Sequence, residues 1–155
     1  MKRNKQSEKQ LDLFTDADFE QKTAKVIETE PIDTYDHTAL FTRLAQSDFR
    51  RSFHLKAKDK EYIREKGLDT IRKHAVDFVA KRLAPAVIPN DGKQTPMRGH
   101  PVFIAQHATG CCCRGCFFKW HHVAPGHTLT PQEQHYAVSV LMTWIEEEYN
   151  KTANV

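Results

Sequence analysis

From Leu40 onward, apolar residues return every three or four positions through much of the chain, the period of a helix buried on one face. Leu40, Phe41, Leu44 and Phe49 open the pattern. Asp59 is placed to cap a short helix through Glu65, closed by Gly67. Leu68, Ile71, Ala75, Phe78, Val79 and Leu83 form one apolar stripe, so residues 69–83 are predicted as a longer helix that Pro85 ends. Arg72, Lys73, Lys81 and Arg82 surround its exposed side. The last helix has the clearest start: Thr130 at the N-cap, Pro131 at the first helical position and Glu133 at the third make a capping box with the favoured early proline. Tyr136, Val140, Leu141, Trp144 and Ile145 supply its core face through about residue 149.

Between these helices the pattern fails. Pro89, Asn90-Asp91-Gly92, Pro96 and Gly99 are turn chemistry. The block Val102-Phe103-Ile104-Ala105 is too short for periodicity to choose between a helix and a buried strand. No internal repeat and no alternation of strand with helix is present. The fold class expected is mainly α: a small single domain, residues 38–150, with an irregular Cys/His centre and a flexible N-terminal arm, residues 1–37. The arm is expected to stay open because a polar, acidic segment with scattered hydrophobes cannot offset its ordering entropy.

Composition sharpens this picture. Of 155 residues 39% are hydrophobic and 28% charged, which predicts a modest core. The net charge of +3 hides an asymmetry. Residues 11–37 hold eight acids and two lysines, whereas residues 38–119 hold 16 basic and 7 acidic side chains. A basic domain beside an acidic linker suits an electrostatic partner such as DNA, although a solvated surface screened by its own tail gives the same balance. No apolar run follows the basic start, and none approaches the roughly 20 residues of a membrane span. A cytoplasmic protein with reduced thiols and no membrane partner is therefore expected.

Four cysteines fall within six residues: Cys111, Cys112, Cys113 and Cys116. Adjacent cysteines cannot readily pair with one another, but clustered thiols with nearby imidazoles suit one soft divalent ion. Structural zinc takes four tetrahedral ligands, commonly a CxxC pair with Cys or His nearby. Cys113-Arg-Gly-Cys116 is such a pair, and His121 follows Cys116 by four intervening residues. The expected ligands of one zinc ion are His107, Cys113, Cys116 and His121, with Cys112 as the alternate and His122 and His127 as further competitors. Ordinary burial of cysteine is the competing explanation. A thiol-redox centre is disfavoured because the strand–CxxC–helix context is missing. An open metal position would permit hydrolysis by bound water, with His100 or His107 as ligand or base. Lys93, Arg98 and Arg114 would then meet an anionic substrate or nucleic acid. Carboxylates for such chemistry are scarce, Asp91 being the sole acid from residue 78 to 132. No catalytic residue is assigned.

Two resemblances extend the reading. Phe53-His54-Leu55-Lys56, Tyr62 through Gly67, the block from Asn90 to Thr109, Cys112-Cys113-Arg114-Gly115-Cys116 and Lys119-Trp120-His121 are similar to an uncharacterised bacterial and phage domain family of unknown function. That resemblance covers residues 38–148, implies a cytosolic bacterial setting and transfers no activity; Cys111 departs from its cluster. In the arm, Gln10-Leu11-Asp12-Leu13-Phe14 resembles the pentapeptide by which bacterial polymerases and repair factors bind the DNA-replication sliding clamp. Leu11, Leu13 and Phe14 would enter an apolar cleft, with Gln10 at its rim. The function expected first is a metal-stabilised basic binding module docked on the clamp, with possible DNA contact. The alternatives are a metal-dependent hydrolase or nuclease delivered by the same arm, and an adaptor that only blocks the clamp.

Overall fold

The computed structural model describes residues 35–153. Among them there are seven α-helices, one π-helical turn and no strand; the α-helices are α1 (Thr38–Ala45), α2 (Asp48–Arg51), α3 (Ala57–Lys66), α4 (Leu68–Phe78), α5 (Pro101–Thr109), α6 (Arg114–His121) and α7 (Pro131–Ala153). The mainly α expectation holds. α7 is the central element and packs chiefly against α5 and α4. Ile71, Ala75 and Val79 meet Val102 and Ala105, Phe117, and Ala137, Val140, Leu141 and Ile145 in one fully buried core. Each large apolar side chain so enclosed contributes about 1.5–3 kcal/mol.

The start of α7 follows its sequence signal. The Thr130 hydroxyl accepts from the Glu133 amide at 3.0 Å, and the Glu133 carboxylate accepts from the Thr130 amide at 2.9 Å. The helix continues beyond residue 149 to Ala153. Its acidic end is partly internal: Glu148 is buried and accepts from the Leu55 amide at 3.2 Å, tying the α2–α3 connection to α7.

Two local expectations need correction, and one open choice is settled. The stretch containing Leu40 and Phe49 is two helices, because Ser47 begins a new one by accepting from the Arg50 amide at 3.2 Å; Phe49 is left 52% exposed. The helix over 69–83 is α-helical only to Phe78, and Val79–Leu83 forms a wider π-helical turn closed by Ala84 N–H donating to Val79 O at 2.8 Å. Ala84 keeps right-handed helical angles (φ −71°, ψ −31°), but Pro85 has no N–H with which to continue the ladder. The carbonyls freed there are taken up elsewhere: Ala84 O accepts from Leu129 N at 2.9 Å, and Leu83, Ala84 and Pro85 all receive the Arg114 guanidinium. Finally, 101–109 is a helix. His100 caps it, Nδ1 accepting from the Val102 amide at 3.0 Å, with Pro101 at the first position and Gly110 closing it at φ 79°.

Packing also reaches past Thr38 toward the N-terminus. His37 is buried with Nε2 2.9 Å from Ser139 Oγ on α7, and the Tyr35 ring meets Tyr136 edge-on at 5.3 Å. The clamp-like peptide Gln10–Phe14 lies outside the described residues.

Candidate metal centre

The thiols converge where α5 ends and α6 begins. Gly110 turns the chain left-handed, Cys111 is carried into the core, and Cys112 and Cys113 lead into α6. Cys113 is the N-cap of α6, its sulfur 3.4 Å from the Cys116 amide, so the CxxC is the first turn of a helix. The sulfurs of Cys112, Cys113 and Cys116 lie within 4.8 Å of one another. Thiolates on a tetrahedral zinc at about 2.3 Å would stand roughly 3.8 Å apart, a spacing that falls inside this limit.

Long-range contacts hold this geometry. Asp91, 23 residues before Arg114, accepts from the Arg114 amide at 2.9 Å and the Gly115 amide at 3.2 Å. One carboxylate thereby satisfies two free N–H groups at the start of α6. The Thr95 hydroxyl donates to Cys112 O at 2.8 Å. Arg50 from α2 is buried against the sulfurs, with Nη2 3.1 Å from Cys116 Sγ, Nη1 3.7 Å from Cys112 Sγ and Nη1 2.6 Å from His107 O. Burial opposes the guanidinium charge, yet its bonds to the two sulfurs raise the Arg50 pKa overall. Bonds from Cys112 and Cys113, with Arg50 beside them, hold the Cys116 thiol well below the usual range. Cys112 is pushed up, chiefly by its bonds to Cys113 and Cys116. For Cys113 the bond with Cys112 lowers the pKa, but the bond to Cys116 and burial together outweigh it and the net shift is upward. Cys116 is the group that carries charge first.

Of the expected ligands, Cys113 and Cys116 come together with the alternate Cys112. His107 and His121 do not join them. His107 Nε2 faces the carbonyls of Thr95 and Pro96 at 3.1 Å each, so it bears the proton and offers no lone pair. Its ring stacks on Phe53 at 5.6 Å. His121 Nε2 donates to Thr109 O at 2.8 Å while Nδ1 meets the Tyr136 hydroxyl at 2.7 Å. Burial lowers its pKa to about 4 and keeps it neutral. Both imidazoles are tied into the protein frame. Cys111 lies 3.6 Å from His121 Nε2 but is fully enclosed, and burial pushes its thiol up to about 12. The competitor His127 pairs with Glu133 at 2.9 Å, and His122 closes α6 at φ 62°.

Arg114 is corrected as an anion contact. It is buried, and its guanidinium serves Leu83, Ala84, Pro85 and Ala124 carbonyls. Lys93 and Arg98 are exposed. His100, considered as a ligand or base, instead caps α5 and bonds His74 at 3.0 Å within a ring of Tyr62, Phe78 and Phe103. Asp91, the nearest candidate base in sequence, is occupied by two amides and Gln94. Arg50 and Asp91 were missed as supporting residues; no local signal connects them to the cysteines.

The class defined by this geometry is a small helical domain with a thiol triad at a helix N-terminus, able to hold a metal ion. The chain belongs to the family described as Domain of unknown function (DUF4186), whose model matches residues 38–146. No solved structure matches the chain. Among the described residues no helix is long and apolar enough to cross a membrane.

Proposed function

We propose that this chain is a metal-stabilised binding module of the bacterial cytoplasm, carried to the DNA-replication sliding clamp by Gln10-Leu11-Asp12-Leu13-Phe14 and contacting DNA through its basic domain. The observation that carries the metal part is the triad of Cys112, Cys113 and Cys116 sulfurs within 4.8 Å. Three thiolates on one divalent zinc leave a single negative charge, which the buried Arg50 offsets. Soft sulfur donors favour zinc over the hard cations. Three thiols leave the fourth position to water or to a donor outside the triad; with Asp91, the nearest acid in sequence, occupied as a helix cap, a structural role still fits better than a hydrolytic one.

Elemental analysis of protein purified without added metal tests the centre. One zinc per chain is expected, lost together with thermal stability on Cys116→Ser and retained on His107→Gln. Metal-free, fully folded protein would return the cysteines to ordinary packing. The docking part rests on the pentapeptide alone. Titration of sliding clamp against the intact chain should give binding that Leu13→Ala with Phe14→Ala removes, and unchanged affinity would refute that role.

A further inference from the structure

A hollow of about 750 Å³ opens between the start of α3 and the loop before α5, and none of the three triad thiols lines it. Lys56 and Lys58 line it from the start of α3 and Arg98 from the loop; Phe53, Tyr62 and Met97 add apolar surface to the lining. All three cations are exposed, and among the described residues none is ion-paired. The one carboxylate in the wall, Asp59, is buried and turned to the Lys56 amide at 2.9 Å. Uncompensated positive charge on a concave surface focuses attraction on an anion.

Shape narrows the ligand. The volume falls within the range that encloses a drug-sized molecule, far more than an inorganic phosphate needs. Cations beside ring surface form the arrangement that tracks a single strand, phosphates on the charges and bases on the rings. A duplex keeps its bases stacked inside and would reach only the rim.

We propose that this hollow binds single-stranded DNA, with Lys56, Lys58 and Arg98 on phosphates and Phe53 or Tyr62 receiving a base. This rests on the DNA-contact part of the proposed function and moves the contacts away from Lys93 and Arg114.

Fluorescence anisotropy of the intact, metal-loaded chain with fluorescein-labelled oligothymidylate tests it. Three phosphate contacts on a single strand predict a slope near −2 in log affinity against log salt, about a twentyfold loss between 50 and 200 mM. Combined Lys56→Gln, Lys58→Gln and Arg98→Gln should weaken binding by about tenfold or more at low salt, with an unchanged melting curve. Removing equal charge elsewhere, by Lys60→Gln, Arg64→Gln and Lys119→Gln, should weaken it by less than about threefold. Equal losses from both triples would mean diffuse attraction and overturn the site. Oligonucleotide binding that ignores the first triple would sink this site while leaving DNA contact standing; no binding would sink both. Competition by free thymidine triphosphate at the same concentration as the strand would overturn the strand assignment.

Discussion

At Gly110 two constraints meet. The backbone is left-handed at φ 79°, and a Cβ there would lie 2.7–2.9 Å from three Trp120 side-chain atoms. Left-handed geometry costs a non-glycine residue about 1–2 kcal/mol, and a rigid indole cannot withdraw cheaply. Gly110→Ala should destabilise the fold by about 2–3 kcal/mol in urea unfolding, overpacking included. His100 supplies a second residue-scale prediction. Burial, followed by the neighbouring His74, lowers its pKa to about 3 from an ordinary 6.5. The unfolded chain therefore binds this proton first as pH falls. Stability is fully present above pH 6.5 and should decline from there toward pH 3, at up to about 1.4 kcal/mol per unit for one proton. His100→Asn keeps a cap acceptor for Val102 and removes the titration. Its stability–pH curve should be shallower by about one proton over that window; an unchanged slope would assign the acid sensitivity elsewhere.

At the scale of elements, α6 depends on a residue outside itself. Its first-turn amides end on Asp91, so Asp91→Ala should cost about 1–2 kcal/mol, as loss of a helix cap does. It should also weaken metal uptake, readable as faster zinc loss to a chromogenic chelator. The local signals that predicted elements well are those whose partners sit within four residues: Thr130 with Glu133 at the start of α7, and the part of the apolar stripe from Leu68 through Phe78, beyond which the helix widens. α6 was not legible because a cysteine is not a usual N-cap and its principal anion comes from a turn 23 residues earlier. The Asn90-Asp91-Gly92 sequence announces a turn whether or not the carboxylate has a distant duty. α5 could have been read, since Pro101 and Gly110 are boundary signals at the two ends of an ambiguous apolar block. In the candidate site the CxxC and its neighbour Cys112 were legible from spacing. The histidines misled because spacing is blind to which hydrogen bonds already occupy a ring.

For the whole molecule, packing on α7 extends ahead of the first turn of α1, to His37 and Tyr35. A chain beginning at Tyr35 should be more stable than one beginning at Thr38 by about 1–3 kcal/mol in urea unfolding, the sum of an aromatic contact and a buried hydrogen bond. Equal stabilities would mean that Tyr35 and His37 add nothing. Arg114 gives the molecule another property. Its guanidinium is enclosed by carbonyls from the end of the π-helical turn and from Ala124, whereas Lys119 on the same helix is exposed. Trypsin can cut after Arg114 only once that enclosure has come apart. The rate of this one scission, followed by mass spectrometry, is thus a built-in gauge of how often the centre of the protein breathes.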